Sequence, residues 1–270
     1  MTRNLFYMLV FLCTLFSTPS YFLNSYAEEP ILISISSGLE DIIFDGKWSY
    51  RSEWKNSSYN LLNFEDSTKI HLRTAHQENF IYIHINVETD TVINKGIDSA
   101  IVCFDTNNDK TVISSSDDYC FSIAVDRKTP FTYQGGSISA INGHFKKIPN
   151  HKDFIAVGSA SDKYDRYHKT THVSYEFKIP LEVLGRSNNY GFYISVFDGY
   201  SQNHYSWPYD IKKQSLTSIS SPSQWGNLVS PDNSLPEFNF SILLYFLIPL
   251  MLTFTIITKF NLFKTSILNN

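Results

Sequence analysis

From residue 69 to residue 198, apolar and polar side chains repeatedly alternate with a period of two, the spacing that sends successive side chains to opposite faces of an extended chain. "KIHLRTA" (69–75) places Ile70 and Leu72 on one face, and "FIYIHINVE" (80–88) does the same with Ile81, Ile83, Ile85 and Val87. The "HQEN" between them is short enough for a hairpin. "SAIVCFD" (99–105) and "YCFSIAV" (119–125) form a second pair, followed by "FIAVGSAS" (154–161), "THVSYEFKI" (171–179) and "YGFYISVFD" (190–198). Helical periodicity is scarce: "PLEVLG" (180–185) reads as one short turn, with Pro at its first position and Gly at its end. Short aromatic-rich strands separated by Gly, Asn, Asp and Ser predict an all-β, antiparallel β-sandwich. One face of each sheet packs inward and the other meets solvent or a ligand.

The two ends of the chain carry a different pattern. Arg3, the apolar run "LFYMLVFLCTLF" and the polar "STPSYFLNSYA" stand in the order of a secretory signal, with Ser25 and Ala27 suitably small before a cut at Glu28. Leu12 stands before Cys13 where a lipoprotein signal needs a small residue, which excludes lipidation there. "FNFSILLYFLIPLMLTFTIIT" (238–258) holds no charge over 21 residues, and about 20 apolar residues span a bilayer core. Pro249 is tolerated in a membrane helix. Lys259 and Lys264, with no acid after them, predict a cytoplasmic tail. The expected organisation is therefore a signal peptide (1–27), a β-sandwich (28–230), a short stalk (231–237), a transmembrane helix (238–258) and a tail (259–270). The segment "KKQSLTSISSPSQWGNLVSPDNSLPE" (212–237), polar and rich in Ser and Pro, closes the domain. The expectation is a single-pass protein of the cell surface with its N-terminal domain outside.

Charge then removes one class of partner. Without Arg3, Lys259 and Lys264, 19 basic residues face 26 acidic ones, a net charge of −7. No basic run stands out, so nucleic acid is not an expected partner. Asn56-Ser57-Ser58 is the only glycosylation sequon clear of the membrane segment.

The candidate chemistry gathers in "DTNNDKTVISSSDDYC" (105–120). Asp105, Asn107 and Asp109 stand at alternate positions, as at the start of an oxygen-ligand calcium loop, and Asp117 and Asp118 close the same loop. The comparison with an EF-hand stops there, because Lys110 stands at the sixth position in place of Gly and Ser116 at the twelfth in place of Glu. A calcium site and a solvated Asn/Asp turn both remain open. If Phe104 opposes Tyr119, Cys103 opposes Cys120, and an exported domain favours a disulfide between them. If Ala75 pairs with Phe80, His71 falls opposite His84, a pair that could bind metal or bracket a haem or simply be polar neighbours.

Catalysis finds little support. There is no G-x-S-x-G elbow, H-E-x-x-H helix or Gly-rich phosphate loop. Glu176 and Asp198 could be paired as glycosidase carboxylates, but both lie within strands that read as scaffold, so the expectation is not an enzyme. Aromatic residues point elsewhere. Flat Tyr and Trp rings stack on the C–H face of a sugar while neighbouring amides and carboxylates bond its hydroxyls. Trp54 and Trp225 read as packed scaffold. Trp207 and Tyr205 in "NHYSWP", with Tyr133 in a Gly-rich neighbourhood, are the expected carbohydrate contacts.

Six segments in order, "FDGKWSYRSEWK" (44–55), "FIYIHINVETDT" (80–91), "DSAIVCFDTNNDK" (98–110), "HVSYEFKIPLEVLG" (172–185), "YGFYISVFDG" (190–199) and "SPSQWGNLV" (221–229), resemble the family 9 carbohydrate-binding modules, which belong with the DOMON-like sandwiches. The resemblance implies a jelly-roll-like sandwich, calcium bound for structural reasons, and a carbohydrate or cell-envelope glycan as partner. Asp105, Asn107 and Asp109 match the family's D-x-N-x-D loop. The two tryptophans that grip a sugar in studied members have no aligned counterparts here. DOMON relatives also include haem-binding redox domains whose iron is commonly held by methionine. Met1, Met8 and Met251 are the chain's three methionines and all lie outside the sandwich, so haem is not an expected cofactor. Pro236-Glu237-Phe238 before the apolar segment resembles a PEF-type archaeal sorting signal. A structural or adhesion ectodomain without a small ligand remains the alternative reading.

Overall fold

The computed structural model describes residues 29–35, 39, 42–138, 144–209 and 219–230. The expected signal peptide, stalk, membrane helix, tail and sorting tripeptide lie outside them. Among the described residues no helix is long and apolar enough to cross a membrane.

Among the described residues, fourteen strands run in chain order. They begin with β1 (Ile31–Leu32), β2 (Ser34–Ile35), β3 (Ser58–Asn63), β4 (Lys69–Gln77) and β5 (Phe80–Val87). Then come β6 (Ser99–Asp105), β7 (Asp118–Ala124), β8 (Phe131–Gln134), β9 (Lys146–Ile148), β10 (Ile155–Ala160) and β11 (Val173–Pro180). A single helical turn, α1 (Leu181–Leu184), precedes β12 (Asn189–Asp198), β13 (Asn203–Trp207) and β14 (Gly226–Val229). They form two sheets. One has the order β1-β14-β12-β6-β7-β8-β9 with β13 also on β12; the other has the order β10-β11-β5-β4-β2 with β3 also on β4. All pairings are antiparallel except β1 with β14 and β2 with β4, so the predicted all-β sandwich is the fold observed.

Alternation builds the core. Ile70, Leu72, Ile83, Ile85 and Val87 from one sheet meet Val102, Phe104, Phe121, Phe192, Ile194 and Val196 from the other, and all are fully buried. Burying each such side chain stabilises the fold by roughly 1.5–3 kcal/mol. Cys103 lies opposite Cys120, with Cα atoms 4.1 Å apart, and the two are bridged. They sit on the outer face of the first sheet, under Trp225, Tyr193 and Phe145.

Two expectations need correction. Gln77, not Ala75, pairs with Phe80, because β4 continues through His76 and turns only at Glu78 and Asn79, with Glu78 in the left-handed region (φ 55°). The register moves by two, which keeps every side chain on its expected face but puts His71 opposite Asn86 and Arg73 opposite His84. The outer face of the second sheet is also not open to solvent. His71, Arg73, His84, Asn86, Ser174 and Glu176 are polar and buried there, beneath the segment before β3 and the loop between β10 and β11.

Candidate functional site

At the mouth of the β6–β7 hairpin, Asp105 and Asp118 are directly opposed. The left-handed backbone at Asn108 (φ 53°) and Lys110 (φ 54°) curls the loop inward. Asp105 thereby accepts the amides of Asp109 (3.3 Å) and Lys110 (2.9 Å). Asp105, Asp109 and Asp117 each bring a carboxylate oxygen within 4.8 Å of the others. Lys110 fills the position where an EF-hand has Gly, yet its ammonium leaves the mouth to cap the carbonyls of Trp225 and Gly226. Among the described residues, no lysine forms an ion pair with the cluster, although Lys110 remains near enough to feel the Asp105 charge. Asp118 takes the Ser115 amide at 2.6 Å on one oxygen, while its other oxygen is buried without a partner. Burial, together with the charges of Asp105, Asp117 and Asp109, pushes the Asp118 carboxyl up to about 7. Asn107 is exposed, and the neighbouring Asn108 keeps a buried, unpartnered amide oxygen.

A second acidic nest was not legible as such. Asp90 follows β5, Asp98 precedes β6 and Asp198 ends β12, and all three are buried with carboxylate oxygens within 4.8 Å of one another. Backbone donors hold two of them: Gly199 N bonds Asp98 at 2.9 Å, and Tyr200 N bonds Asp198 at 2.8 Å. Asp90 keeps one oxygen buried and unpartnered, and the Tyr175 hydroxyl, close enough to feel all three charges, is likewise buried and unpartnered. Burial first, then Asp198 and Asp98, pushes the Asp90 carboxyl up to about 7.

Both nests fit the calcium that the family resemblance implies. Crowded carboxylates with unsatisfied inward oxygens are the donor set of a hard cation, which takes 6–8 oxygens. Asp105, Asp109 and Asp117 would hold it at one nest, with Asp118 beside them, and Asp90, Asp98 and Asp198 at the other. There the ion would supply charge neutralisation and no chemistry.

Of the three residues expected to contact sugar, Trp207 and Tyr205 are buried and Tyr133 is half-buried. Trp207 is only 3% exposed and belongs to the inter-sheet core, its ring lying against Phe192 and over Gly226. Tyr205 is buried too, its hydroxyl donating to Asp66 at 2.7 Å. Both are on β13, which pairs with β12 instead of forming a loop, so alternate residues face inward. Tyr133 is half-buried against the disulfide cluster, opposite Cys120. Trp48, Trp54 and Trp225 are buried as well, so no tryptophan offers a bare ring.

Glu176 is scaffold. Its carboxylate accepts the Trp54 indole (2.9 Å), Gly46 N (2.8 Å) and Asp45 N (3.1 Å), fastening the segment before β3 onto β11. Burial pushes its carboxyl well above the usual range. It lies in the opposite sheet from Asp198. His71 is engaged on both ring nitrogens, by Tyr59 (2.9 Å) and Glu88 (2.8 Å), whereas His84 bonds Ser174 at 3.0 Å through Nε2 and leaves its buried Nδ1 without a partner.

Arg73 organises the outer face of the second sheet. Its guanidinium donates to the Tyr167 hydroxyl (2.6 Å) and to the carbonyls of Trp54 and Ser57 (3.2 Å each). It also lies over the Trp48 and Tyr59 rings at 5.1 and 4.9 Å, a favourable placement of cation on π-face. Tyr59, His71 and Tyr167 stack together, with 3.8 Å between the last two. The outermost rings remain open: Tyr59 is 44% and Tyr164 72% exposed. By contrast, the shallow pocket of about 460 Å³ near α1 has its polar groups engaged. Arg186 there bonds His76 and the Glu78 carbonyl, and Glu182 pairs with His151.

No protein-family model matches this chain, and no curated protein matches it. Solved structures do. A family 9 carbohydrate-binding module from Caldicellulosiruptor kristjanssonii in complex with glucose is similar over 75% of this chain and 95% of its own, at 16% identity and a TM-score of 0.50. The module from the same organism in complex with cellotriose gives 78% and 100% coverage, 18% identity and a TM-score of 0.49. The sandwich is thus of the same fold as a family 9 carbohydrate-binding module.

Proposed function

We propose that this chain is a non-catalytic carbohydrate-binding domain displayed at the cell surface, with calcium bracing its two acidic nests. The observation that carries the reading is the pair of exposed rings, Tyr59 and Tyr164, on a surface stiffened from beneath by Arg73 and stacked aromatics. Such rings offer flat apolar faces beside polar groups, the chemistry that a pyranose needs. The shared fold supports it, since the Caldicellulosiruptor module of that fold is a carbohydrate-binding one seen with glucose. The apolar segment 238–258 would hold the domain at the membrane. The test is a glycan array probed with the full-length chain in detergent. Binding that is lost in Tyr164→Ala supports the proposal, and no binding to any saccharide ends it.

A second reading, a structural or adhesion ectodomain without a small ligand, is favoured by one observation: all four tryptophans are buried and leave no aromatic cleft among the described residues. The same array separates the two.

A further inference from the structure

In the two loops that cover the second sheet, the carboxylates of the described residues are each engaged by hydrogen bonds or an ion pair. In the segment before β3, Asp45 accepts the Ser49 hydroxyl and the Lys47 amide, and Glu53 accepts the amides of Ile43 (2.8 Å) and Ser49 (2.7 Å). Between β10 and β11, Asp162 pairs with Lys47 at 2.7 Å, and the buried Asp165 takes Asn86 and the amide of Tyr167. Basic side chains of the same loops face out. Arg51, Lys55, Lys163, Arg166 and Lys169 are all exposed, as is His168, and none of them makes an ion pair among the described residues. The two loops adjoin. Trp48 meets Tyr167 at 5.8 Å, the Arg166 guanidinium lies 5.3 Å from the Trp48 ring, and Arg73 bonds both loops. A sandwich of net charge −7 thus carries one surface whose unpaired charge is positive, with the exposed Tyr164 ring, 5.0 Å from the Lys163 ammonium, in one of its loops and the part-exposed Tyr59 ring beside it.

Resting on the carbohydrate-binding reading above, we infer that this surface takes an anionic glycan, a polysaccharide bearing carboxylate or sulfate groups. Guanidinium and ammonium groups recognise those anions, with Arg able to bond a carboxylate in two-pronged fashion. The tyrosines supply faces for the rings that carry them. An anionic lipid surface fits less well. The exposed large side chains there, Ile43, Tyr59 and Tyr164, are scattered singly and form no continuous apolar edge in sequence to enter a bilayer.

The test uses the full-length chain in detergent, with polygalacturonate, its carboxyl-reduced counterpart, vesicles containing an acidic phospholipid, and a single-stranded oligonucleotide as probes. Polygalacturonate should bind, and more weakly at 0.5 M salt. The carboxyl-reduced polymer should bind at least tenfold less. The variant carrying Lys55→Glu, Lys163→Glu and Lys169→Glu should bind on the order of 100-fold more weakly, about fivefold for each exposed charge contact. All three lysines are exposed, so its melting temperature should match wild type, and an Arg166→Ala variant provides an independent reduction should it not. Equal binding of the reduced polymer would overturn the anionic inference while leaving sugar binding intact. Failure to bind either polymer, or any array saccharide, removes both. Oligonucleotide or vesicle binding as tight as the polysaccharide's would also overturn it, by assigning the surface to another class of partner.

Discussion

Gly191 lies directly opposite Asp105 where β12 pairs with β6, and a methyl group built on it would stand 2.7 Å from the Asp105 Cβ and 3.1 Å from its carboxylate. The missing side chain is what lets the Asp105 carboxylate turn into the hairpin mouth. Gly191→Ala should therefore destabilise the domain by about 1–3 kcal/mol through overpacking. It should also weaken calcium binding at that nest. Denaturant midpoints with and without calcium check both effects, and an unchanged midpoint would remove the steric argument.

Calcium should raise the melting temperature. A cation at 100 times its Kd adds about 2.7 kcal/mol per site, or roughly 5–10 °C for a domain of this size. Asp98→Asn should delete the increment of one nest and Asp105→Asn that of the other, with the double variant insensitive. A wild-type melt indifferent to calcium and to chelator refutes the bracing.

Acid should unfold the protein through His84. The ring is fully buried, stacked 5.2 Å from Trp54 and edge-on to Trp48. Desolvation, with the Arg73 charge beside it, lowers its pKa to about 3 from 6.5. The unfolded chain therefore takes up the proton first, so stability is complete above pH 6.5 and is lost as pH falls towards 3. The ceiling on this loss is about 5 kcal/mol. His71 shifts in the same direction, also by burial. His84→Gln should flatten the dependence of the melting temperature on pH between 6.5 and 4; an unaltered slope would place the acid sensitivity elsewhere.

Reduction of Cys103–Cys120 opens a loop with a sequence separation of 17. A closed loop of about 15 residues constrains the unfolded chain by ~3 kcal/mol. The double Cys→Ser variant should lose about that much, as seen by urea titration. Because the bridge lies under Trp225 on the outer face, its loss should blue-shift or broaden no sugar response, only the unfolding midpoint.

Trp207 and Tyr164 should behave as opposites. Trp207→Ala removes a core ring and should cost about 3–5 kcal/mol, whereas Tyr164→Ala, on a surface site, should stay within about 0.5 kcal/mol. Saccharide binding should follow the reverse order once folding is controlled by thermal melts. Binding lost only in Trp207→Ala, with the fold intact, would return the site to β13.

The disulfide was readable because Cys103 and Cys120 are the two cysteines left after the expected signal peptide and stand near the facing ends of two strand-like segments, and Phe104 does oppose Tyr119. Histidine pairing failed because "HQEN" permits more than one turn length, and the tighter turn at Glu78 and Asn79 moves the register by two. Trp207 was misread since "NHYSWP" is polar at every second position, which is equally the signature of an exposed loop and of a strand with one buried face. The hollow that receives its ring exists only because Gly226 stands beneath it.

Taken alone, the chain's alternation determined two layers of strands, which residues would meet between them, and the cysteines that would be joined, since these depend on neighbours along one strand or across one turn. Asp90, Asp98 and Asp198 converge from three separate strand ends, and the loop that carries Arg51 and Lys55 adjoins the loop that carries Lys163 and Lys169 through the packing of Trp48 on Tyr167. Those meetings were decided by the tertiary structure, because the charge felt at a point in space depends on distance through the fold and not on distance along the chain.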